Sequence, residues 1–414
     1  MAADGGRAAG GTGRPSPVLG IVGAGQLARM TCEAASELGV PTVVLAARSD
    51  DAAAPVASEV LVGEADDTDA VRALARRCDV VTFDHEQVDL DGLHALECEG
   101  VVLHPSVETL RVAVDKAEMR VRLSAAGIPV PGFEVLGVPG TVHDPEDVAA
   151  AIAAFAASRA EKWPVVLKAV RGGYDGKGVW PVENEVAARQ VADEAALAST
   201  PLLVEAHVDI DTELAVVIAR GADGTTAAWP PVETAQIDGV CREVRYPGDL
   251  DVDLAARAES IALEVAAVVG ATGVLAVELF ASGGDLVVNE IAARPHNSAH
   301  WTIEGSTTSQ FENHVRAVLG LPLGDTSPLA RNVTSVNVFG AAPGETRGPA
   351  DGLSAALAVR GAHVHLYGKA PRAGRKLGHV TVCGDDPVEV RGRAWSAARA
   401  LGTPVPDAIG LGTP

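Results

Sequence analysis

Residues 168–180, which read KAVRGGYDGKGVW, place two lysines and four glycines between two strand-like stretches. The backbone N–H groups of such a loop can close over phosphates, while Lys168 and Lys177 supply positive charge. The segment is not a Walker A loop, because Gly178 and a strand follow Lys177, where that loop needs Ser or Thr and a helix. We therefore predict a phosphate-covering loop, with an ordinary glycine-rich hairpin as the alternative.

Two apolar segments carry isolated carboxylates. Glu278 lies within GVLAVELF, and Asn289 and Glu290 come near the end of DLVVNEI. A carboxylate in an apolar strand is costly unless it binds a cation, and Mg²⁺ is commonly held by one or two carboxylates together with substrate phosphates. These residues predict a magnesium site, with a pair of solvent-exposed edge glutamates as the alternative.

The two carboxylates can share one ion only if they lie on the same face of the hairpin, and side chains alternate between the faces of a strand. A two-residue loop at residues 283–284 would pair Glu278 with Asn289 and turn Glu290 away. We predict a three-residue loop that includes Asp285, or a bulge of the same parity, because either one pairs Glu278 with Glu290.

A stretch without acidic residues occurs in a chain that is otherwise acidic. The chain has 33 Lys and Arg against 55 Asp and Glu, yet no Asp or Glu lies between Gly352 and Gly384. The basic residues of this stretch, called the basic island below, are Arg360, Lys369, Arg372, Arg375 and Lys376. The island is a candidate site for a phosphate group, with a solvated basic hairpin as the alternative.

The segment GIVGAGQLARM at residues 20–30 fits the Gly-x-Gly-x-x-Gly/Ala pattern through Gly23, Gly25 and Ala28. The glycines permit a tight strand-to-helix turn whose helix N-terminus offers N–H groups to an anion. A dinucleotide site also needs an acidic residue about 20 positions further on, but residues 46–48 are Ala-Ala-Arg. The pattern favours an anion-facing turn over a bare packing turn or a dinucleotide site.

Composition argues against several classes of function. A formal net charge of −22 is unlike that of a protein that binds nucleic acid on a broad basic face. The five cysteines are scattered and form no Cys-x-x-Cys, which argues against a disulfide framework or a zinc site and suits a reducing cytoplasm. We expect no membrane span, because no uncharged apolar stretch reaches about 18 residues. Residues 1–17 predict a disordered tail rather than a signal peptide.

The elements that must position these residues fall into three predicted domains. Alternating strands and helices predict a parallel sheet first, two prolines in GIPVPGF interrupt the helical pattern that follows, and the chain becomes strand-rich after Pro328. The predicted domain ranges are 18–105, 106–328 and 329–414. Helices are expected at about residues 26–38, 106–126, 147–160, 254–269 and 310–320.

A lysine, a glycine flap, the hinge-like VEAHV and a Glu/Asn-Glu pair, in this order, resemble the ATP-grasp superfamily. Within it, the chain resembles the N5-carboxyaminoimidazole ribonucleotide synthase family of purine biosynthesis over roughly residues 18–390. The resemblance rests on GIVGAGQLARM, TFDHEQV, GIPVPGF, KAVRGGYDGKG, NEIAARPHNSAHWTIEGSTTSQFENHVRA and YGKAPRAGRKLGH.

The resemblance implies a mixed α/β and α+β fold. An ATP-grasp domain of two lobes, with a linker near residues 204–208, would lie between a Rossmann-like pre-ATP-grasp domain and a small β-rich C-terminal domain. The implied reaction is the ATP-dependent carboxylation of 5-aminoimidazole ribonucleotide with bicarbonate, through carboxyphosphate, with ATP and Mg²⁺. The implied setting is a cytoplasmic homodimer whose first domain serves the ribonucleotide and binds no NAD.

The resemblance also implies roles for individual residues. Lys116 and Lys168 would contact the phosphates of ATP, residues 205–208 the adenine, and Glu213 the ribose. The implied ATP-binding residues are Lys116, Lys168, Gly173, Tyr174, Asp175, Gly176, Lys177, Gly178, Val179, Glu205, Ala206, His207, Val208, Glu213, Gln236, Asn289 and Glu290.

The remaining implied roles concern the metal, bicarbonate and the ribonucleotide. Glu278 and Glu290 would hold Mg²⁺. The implied catalytic residues, around carboxyphosphate, are Arg294, His296, Asn297 and Asp175. The implied ribonucleotide-binding residues, of which the last three reach the 5′-phosphate, are Gln26, Leu27, Glu86, Tyr174, Asp175, Lys369, Arg375 and Lys376.

Five positions depart from the family's pattern. Lys116 stands where Arg is usual, which keeps the charge but loses the guanidinium fork. Gln236 replaces a His, Asp84 a Glu, and Ala293 and Ala299 a Pro and a Gly. None of these changes removes the carboxylate pair or the flap.

Three other functions are alternatives to this carboxylation reaction. One is another ATP-grasp ligase with an acyl-phosphate intermediate, such as formate-dependent glycinamide ribonucleotide transformylase, against which HNSAHWT argues. An NAD-dependent oxidoreductase lacks the expected acidic residue after the second strand. A non-catalytic nucleotide-binding regulator is disfavoured by the intact pair of Glu278 and Glu290.

Overall fold

The computed structural model describes residues 16–136, 144–159, 163–173, 177–197, 200–340 and 348–410. Two sets of expectations lie outside these ranges: nearly all of the predicted tail at residues 1–17, and the flap residues Tyr174, Asp175 and Gly176. Across the described part of the chain, every helix is too short or too polar to cross a membrane.

The N-terminal residues form a parallel sheet of four strands in the order β3–β2–β1–β4. Its elements are β1 (Leu19–Val22), α1 (Gln26–Glu37), β2 (Thr42–Ala46), β3 (Glu59–Val62), α2 (Thr68–Ala75), β4 (Val80–Phe83) and α3 (Leu90–Cys98). The parallel sheet and helix α1 confirm the prediction made from alternating apolar strands and helices.

Two helices follow where the sequence predicts one helical stretch over residues 106–126: α4 (Val107–Val114) and α5 (Lys116–Ala125). Asp115 separates them because its backbone is extended, with φ −110° and ψ 101°. Its side chain accepts a 2.9 Å hydrogen bond from the backbone N–H of Glu118 and so caps α5. The break places Lys116 and Arg120 on the first turns of a new helix.

A small antiparallel sheet, in the order β5–β8–β6–β7, is covered by two helices. Its elements are β5 (Phe133–Leu136), α6 (Pro145–Ala157), β6 (Val165–Ala169), β7 (Val179–Val182), α7 (Glu185–Leu197) and β8 (Leu202–Ala206). Phe155 of α6 and Val191 of α7 belong to the same buried apolar cluster as Leu167 of β6. This packing fixes Lys168 on β6 and Glu205 on β8.

The third sheet has nine strands, and its main path is β14–β13–β9–β11–β12–β15–β17–β16, with β10 paired to β9. Its elements are β9 (Thr212–Arg220), β10 (Thr226–Ala228), β11 (Val232–Ile237), β12 (Val240–Tyr246), α8 (Val252–Val269), β13 (Gly273–Ser282), β14 (Asp285–Ala292), α9 (Thr302–Gly305), α10 (Gln310–Val318), β15 (Asn332–Phe339), α11 (Pro349–Leu357), β16 (Ala362–Leu366), β17 (Lys376–Gly384) and α12 (Pro387–Ala400), with 3₁₀ turns at Asn297–Ala299 and Asp407–Ile409.

The sheet runs without a break from the second predicted domain into the third. Strands β12 and β15 pair directly, for example Glu243 with Val336. The three predicted C-terminal strands are present as β15, β16 and β17, but the region also holds α11 and α12, which the sequence analysis did not predict. The buried Glu243 carboxylate accepts hydrogen bonds from Arg391 Nε at 2.8 Å and from Trp395 Nε1, and these bonds tie α12 to the sheet.

The β13–β14 hairpin has a two-residue turn, so the predicted three-residue loop is wrong. Ser282 pairs with Asp285 across Gly283 and Gly284. Both glycines have positive φ, 56° and 85°, which is the conformation that a two-residue turn of this kind requires and that glycine adopts at little cost.

A bulge farther along the same hairpin restores the predicted parity. Leu279 pairs with Val288, but Glu278 pairs with Glu290, and Asn289 is the extra residue between them. This is the second of the two arrangements that the sequence analysis allowed. Glu278 and Glu290 therefore project from the same face of the sheet.

The glycine turn before α1 does face an anion, but the anion belongs to the protein. Asp84, directly after β4, accepts hydrogen bonds from the backbone N–H groups of Gly25, at 2.5 Å, and Ala28, at 2.9 Å. A Cβ atom on residue 25 would lie 2.5 Å from Asp84 Oδ2, so only glycine fits there. The pattern that resembles a dinucleotide turn is explained by an internal carboxylate.

We expect Asp84→Ala to destabilise the protein by about 1.5–3 kcal/mol, because it leaves two N–H groups of a buried turn without a charged acceptor. Asp67→Ala is the matched control, since Asp67 also accepts two backbone N–H hydrogen bonds at a helix N-terminus but is the exposed N-cap of its own helix, α2, and losing an ordinary N-cap costs about 1 kcal/mol. Urea unfolding of both variants measures the difference. Equal losses would contradict a special role for Asp84.

Candidate active site

A cleft of about 1350 Å³ lies where the three sheets meet. Each part of the fold contributes to its wall: Gln26 from α1, Lys168 from β6, Glu278 from β13 and Lys369 from the loop before β17. The predicted residues that line it are Gln26, Leu27, Glu86, Lys116, Lys168, Gly173, Val179, Glu205, Ala206, His207, Val208, Glu213, Gln236, Glu278, Asn289, Glu290, Arg294, His296, Asn297, Lys369 and Lys376. Of the predicted residues in the described ranges, Lys177, Gly178 and Arg375 are not part of this wall.

Lys168 is held on one wall by two acceptors. Its ammonium group lies 2.8 Å from Glu205 Oε2 and donates a 3.0 Å hydrogen bond to Asn289 Oδ1. The other Glu205 oxygen accepts from Arg120 Nε at 2.6 Å. Burial raises the pKa of Glu205, but Arg120 and Lys168 together outweigh it and hold that pKa below its usual value. The Glu205 side chain, predicted to lie beside adenine, is thus committed to two cations.

Three carboxylates face the cleft near the bulge. Glu290 accepts a 2.5 Å hydrogen bond from Lys116 Nζ, and Glu278 Oε2 lies 3.5 Å from Asn289 Nδ2. Burial, together with the negative charges of Glu290 and Glu213, raises the pKa of Glu278 to about 7. Burial alone raises the pKa of Glu213 to about 7.

The donor set at the bulge fits Mg²⁺. Glu278 and Glu290 offer carboxylate oxygens side by side, and a bound cation would offset the burial and the repulsion that together raise the Glu278 pKa. No group of three or more His, Cys, Asp or Glu that could hold a metal exists among the described residues. Two carboxylates, with the remaining ligands from phosphates and water, are the arrangement that Mg²⁺ commonly takes.

Arg294, His296 and Asn297 line the cleft beyond the carboxylates. Arg294 Nε donates a 2.7 Å hydrogen bond to Glu86 Oε2, which joins the third sheet to the N-terminal domain. Burial and the nearby cations Arg294 and Lys376 lower the pKa of His296 to about 3, so its imidazole is neutral. The Nδ2 group of Asn297 is buried and has no hydrogen-bond partner within the described residues.

The basic island reaches the cleft in part. Lys369 Nζ donates to Gln26 Oε1, so the C-terminal region and the first turn of α1 meet at this point. Lys376 also lines the cleft. The Arg375 guanidinium instead donates a 3.2 Å hydrogen bond to the carbonyl of Ala370 within its own loop.

The two ends of the flap, at residues 173 and 177–179, come close together. A Cβ atom on residue 173 would lie 2.7 Å from the carbonyl oxygen of Lys177, and Gly178 has a φ of 75°. Glycine is therefore required at Gly173 for close approach and is favoured at Gly178 by conformation. Next to the flap, Arg171 Nε donates a 2.9 Å hydrogen bond to Asp115, the residue that caps α5.

Sequence reasoning missed residues that hold the site from behind. Arg120 binds Glu205, and the side-chain amide of Gln310 exchanges two 2.7 Å hydrogen bonds with the backbone of His296. Tyr367 lies in the cleft wall, and its hydroxyl is 2.8 Å from His379 Nδ1. The Gln310 amide lies in an amphipathic helix, and nothing in the neighbouring sequence indicates that it binds residue 296, fourteen positions away. Nothing in the sequence around Arg120 indicates its partner Glu205, 85 positions away.

Three family models match the chain in succession. They are the ribonucleotide synthetase preATP-grasp domain at residues 17–114, the ATP-grasp domain at 121–311, and the phosphoribosylaminoimidazole carboxylase C-terminal domain at 334–393.

Relatives match over nearly the whole chain. The N5-carboxyaminoimidazole ribonucleotide synthase of Mycobacterium tuberculosis (strain H37Rv) is 45% identical over 389 residues, with 93% of this chain and 88% of the relative covered. That of Corynebacterium ammoniagenes is 41% identical over 391 residues, with 93% and 92% covered. A crystal structure of the Aspergillus clavatus enzyme in complex with ADP and 5-aminoimidazole ribonucleotide aligns with a TM-score of 0.83 at 30% identity, covering 94% of this chain and 99% of that one.

We expect Glu213→Gln to reduce the pH dependence of stability in the nucleotide-free protein, with the contribution of Glu278 remaining. Burial raises the pKa of Glu213 from 4.5 to about 7, so between these values the folded state keeps a proton that the unfolded state has released. The stability that this group contributes is complete below pH 4.5 and is lost as the pH rises through about 7.

Urea unfolding at about pH 5 and pH 8 measures this slope. Glu264→Gln, at an exposed site on α8, serves as the control and should keep the wild-type slope. A wild-type slope in Glu213→Gln would show that the proton is not held there.

Proposed function

The chain belongs to the N5-carboxyaminoimidazole ribonucleotide synthase family, and we propose that it carboxylates 5-aminoimidazole ribonucleotide with bicarbonate while converting ATP to ADP and phosphate. It is an ATP-grasp ligase of purine biosynthesis. The observation that carries the proposal is one continuous cleft that is lined by the Glu278–Glu290 carboxylate pair, by Arg294, His296 and Asn297, and by Lys369 and Lys376 of the basic island. These three groups suit a nucleotide phosphate, a bicarbonate and a ribonucleotide phosphate in that order.

ATP would lie against the β13–β14 hairpin. Lys116 and Lys168 are close enough to the carboxylate pair, through Glu290 and Asn289, to neutralise the charge of its phosphates. Residues 205–208 would contact the adenine and Glu213 the ribose. Glu278 and Glu290 would hold Mg²⁺, which when bound supplies positive charge to the transferred phosphoryl group.

Arg294, His296 and Asn297 would bind bicarbonate and carboxyphosphate. Bicarbonate is a poor electrophile because hydroxide is a poor leaving group, and phosphorylation replaces it with phosphate. A neutral His296 and the unpaired Nδ2 of Asn297 can donate to an oxyanion without competing for its proton. The Arg294 guanidinium, held by Glu86, adds a fixed positive charge.

The ribonucleotide would lie between the N-terminal domain and the basic island. Gln26, Leu27 and Glu86 would contact its ribose. Lys369, Arg375 and Lys376 would bind its 5′-phosphate, and the contact between Lys369 and Gln26 already joins the two surfaces. The exocyclic amine would then attack the carbon of carboxyphosphate, with phosphate as the leaving group, or the carbon of CO₂ released from it. The family resemblance implies that Tyr174 and Asp175 face the aminoimidazole ring. Closure of the cleft would protect the intermediate from water.

The proposed setting is a homodimer in the cytoplasm. The five cysteines are all free, which suits a reducing compartment. The homodimer is what the family resemblance implies.

The proposed reaction requires ADP release to depend on both the ribonucleotide and bicarbonate. ADP would be measured with 5-aminoimidazole ribonucleotide in bicarbonate-depleted buffer and again after bicarbonate is restored. We expect turnover only after restoration, and none with formate in place of bicarbonate or with NAD in place of ATP. Glu290→Gln should lose nearly all turnover while its circular dichroism stays that of the wild type. Turnover with formate, or none with all three substrates, would refute the proposal.

Lys376→Ala should raise the KM for the ribonucleotide far more than the KM for ATP. Losing a charge-assisted phosphate contact costs on the order of 1.5–3 kcal/mol, which is roughly tenfold or more in binding. We expect Arg375→Ala to act in the same sense. Arg372→Ala, an exposed cation of the same loop, is the control and should change neither KM. Equal changes for both substrates would count against the assignment.

A further inference from the structure

The bulge at Asn289 decides where the Glu290 side chain points. With a two-residue turn and uninterrupted pairing, Glu290 would stand opposite Val277, whose side chain belongs to the apolar cluster beneath the sheet. The bulge instead puts Glu290 opposite Glu278, and Ile291 pairs with Val277 in the core. The carboxylate pair therefore exists only while the bulge is kept.

A bulge leaves a backbone group outside the regular ladder, and this group needs a partner. Arg120 Nη2 donates a 2.8 Å hydrogen bond to the carbonyl oxygen of Asn289. Arg120 lies on α5, 169 positions earlier in the chain, and its side chain is completely buried. The bulge carbonyl is thus supported by a side chain that the cleft wall does not include.

The same guanidinium also acts on the phosphate-binding lysine. Arg120 Nε holds one oxygen of Glu205, and Lys168 holds the other. Lys168 in turn contacts the side chain of Asn289. Arg120, Glu205, Lys168 and Asn289 therefore form a closed ring of hydrogen bonds behind the cleft.

We propose that Arg120 is a positioning residue for the metal site, because its fork holds the Asn289 bulge that places Glu278 and Glu290 on one face while also fixing Glu205 beside Lys168. This inference rests on the proposed magnesium role of the two carboxylates. Arginine suits the task because its planar fork donates in two directions at fixed geometry, whereas a lysine presents a single ammonium group.

Stability alone does not account for this arginine. Its third nitrogen, Nη1, is buried without a hydrogen-bond partner within the described residues. An unpaired buried donor is costly, and buried ion pairs are often replaced by apolar side chains without loss of stability. The hairpin also has a second attachment, a 2.9 Å hydrogen bond from Val288 N–H to the carbonyl of Pro129. Loss of Arg120 should therefore disturb the bulge locally and leave the strand in place.

The test measures metal binding directly. Free Mn²⁺ is followed by electron paramagnetic resonance while Mn²⁺ is titrated into protein saturated with a non-hydrolysable ATP analogue. We expect Arg120→Lys, which keeps the charge opposite Glu205, to weaken Mn²⁺ binding roughly tenfold to a hundredfold, as losses of supporting partners do. Binding of the analogue without metal should change less.

Arg391→Gln is the matched control. Arg391 also pairs with a buried carboxylate, Glu243, and donates a 2.7 Å hydrogen bond to a backbone carbonyl, that of Ile409, but it lies outside the cleft. Its loss should lower the unfolding temperature without weakening Mn²⁺ binding. Equal weakening in Arg120→Lys and Arg391→Gln, or none in Arg120→Lys, would overturn the positioning role.

A second variant tests the same role if Arg120→Lys does not fold. Arg120→Met leaves Glu205 paired with Lys168, so no lone charge remains in the core, and the Asn289 carbonyl still loses its donor. Weaker Mn²⁺ binding in this folded variant supports the inference, and wild-type binding overturns it. Glu290→Gln tests the magnesium assignment separately from the role of Arg120. If this variant binds Mn²⁺ as the wild type does, the magnesium assignment fails, and the positioning role of Arg120 fails with it.

Discussion

The cleft depends on placing two carboxylates side by side on a sheet whose side chains alternate between faces. A tight two-residue turn at Gly283 and Gly284 gives the wrong parity, and one extra residue, Asn289, corrects it. The turn keeps β13 and β14 closely paired, and the bulge reverses the facing of Glu290 and of the residues after it, so that Ile291 pairs with Val277 in the core. The face of β14 that carries the carboxylate pair and its apolar face are therefore set by the same residue. Any change in strand length on either side of the bulge exchanges a carboxylate with a core side chain.

Ion pairs between cationic and acidic side chains compensate the charges that the polar cleft wall carries. In a chain with a net charge of −22, the cleft concentrates cations: Lys116 meets Glu290, and Arg120 and Lys168 share Glu205. The pKa of Glu278 is raised to about 7, chiefly because the side chain is buried and also because Glu290 and Glu213 lie nearby. Of the two carboxylates that would hold Mg²⁺, Glu290 is thus paired with Lys116, whereas Glu278 is the one whose ionisation a bound cation would favour.

The sequence predicted those features that depend on neighbours along the chain. Alternation of strands and helices gave the parallel sheet, and the parity argument gave the pairing of Glu278 with Glu290. The turn length was wrong, because two glycines fit a two-residue turn as readily as a three-residue loop and the strand pattern does not show where an extra residue lies. Arg120 was missed for a similar reason. Its partners, Glu205 and Asn289, are 85 and 169 positions away, and a basic residue in a helix usually lies in solvent.

The glycine turn at the start of the chain shows how one pattern can serve two purposes. A diphosphate and a carboxylate make the same demands on it: free N–H groups at a helix N-terminus and a backbone without Cβ atoms in the way. Here Asp84 meets those demands from the adjacent strand, and a phosphate could occupy the turn only by displacing it. The hydrogen bonds between Asp84 and the turn therefore fix the position of Gln26, the first residue of α1. Because Gln26 accepts the hydrogen bond of Lys369, the glycine turn that fixes the start of this helix also fixes one contact of the basic island.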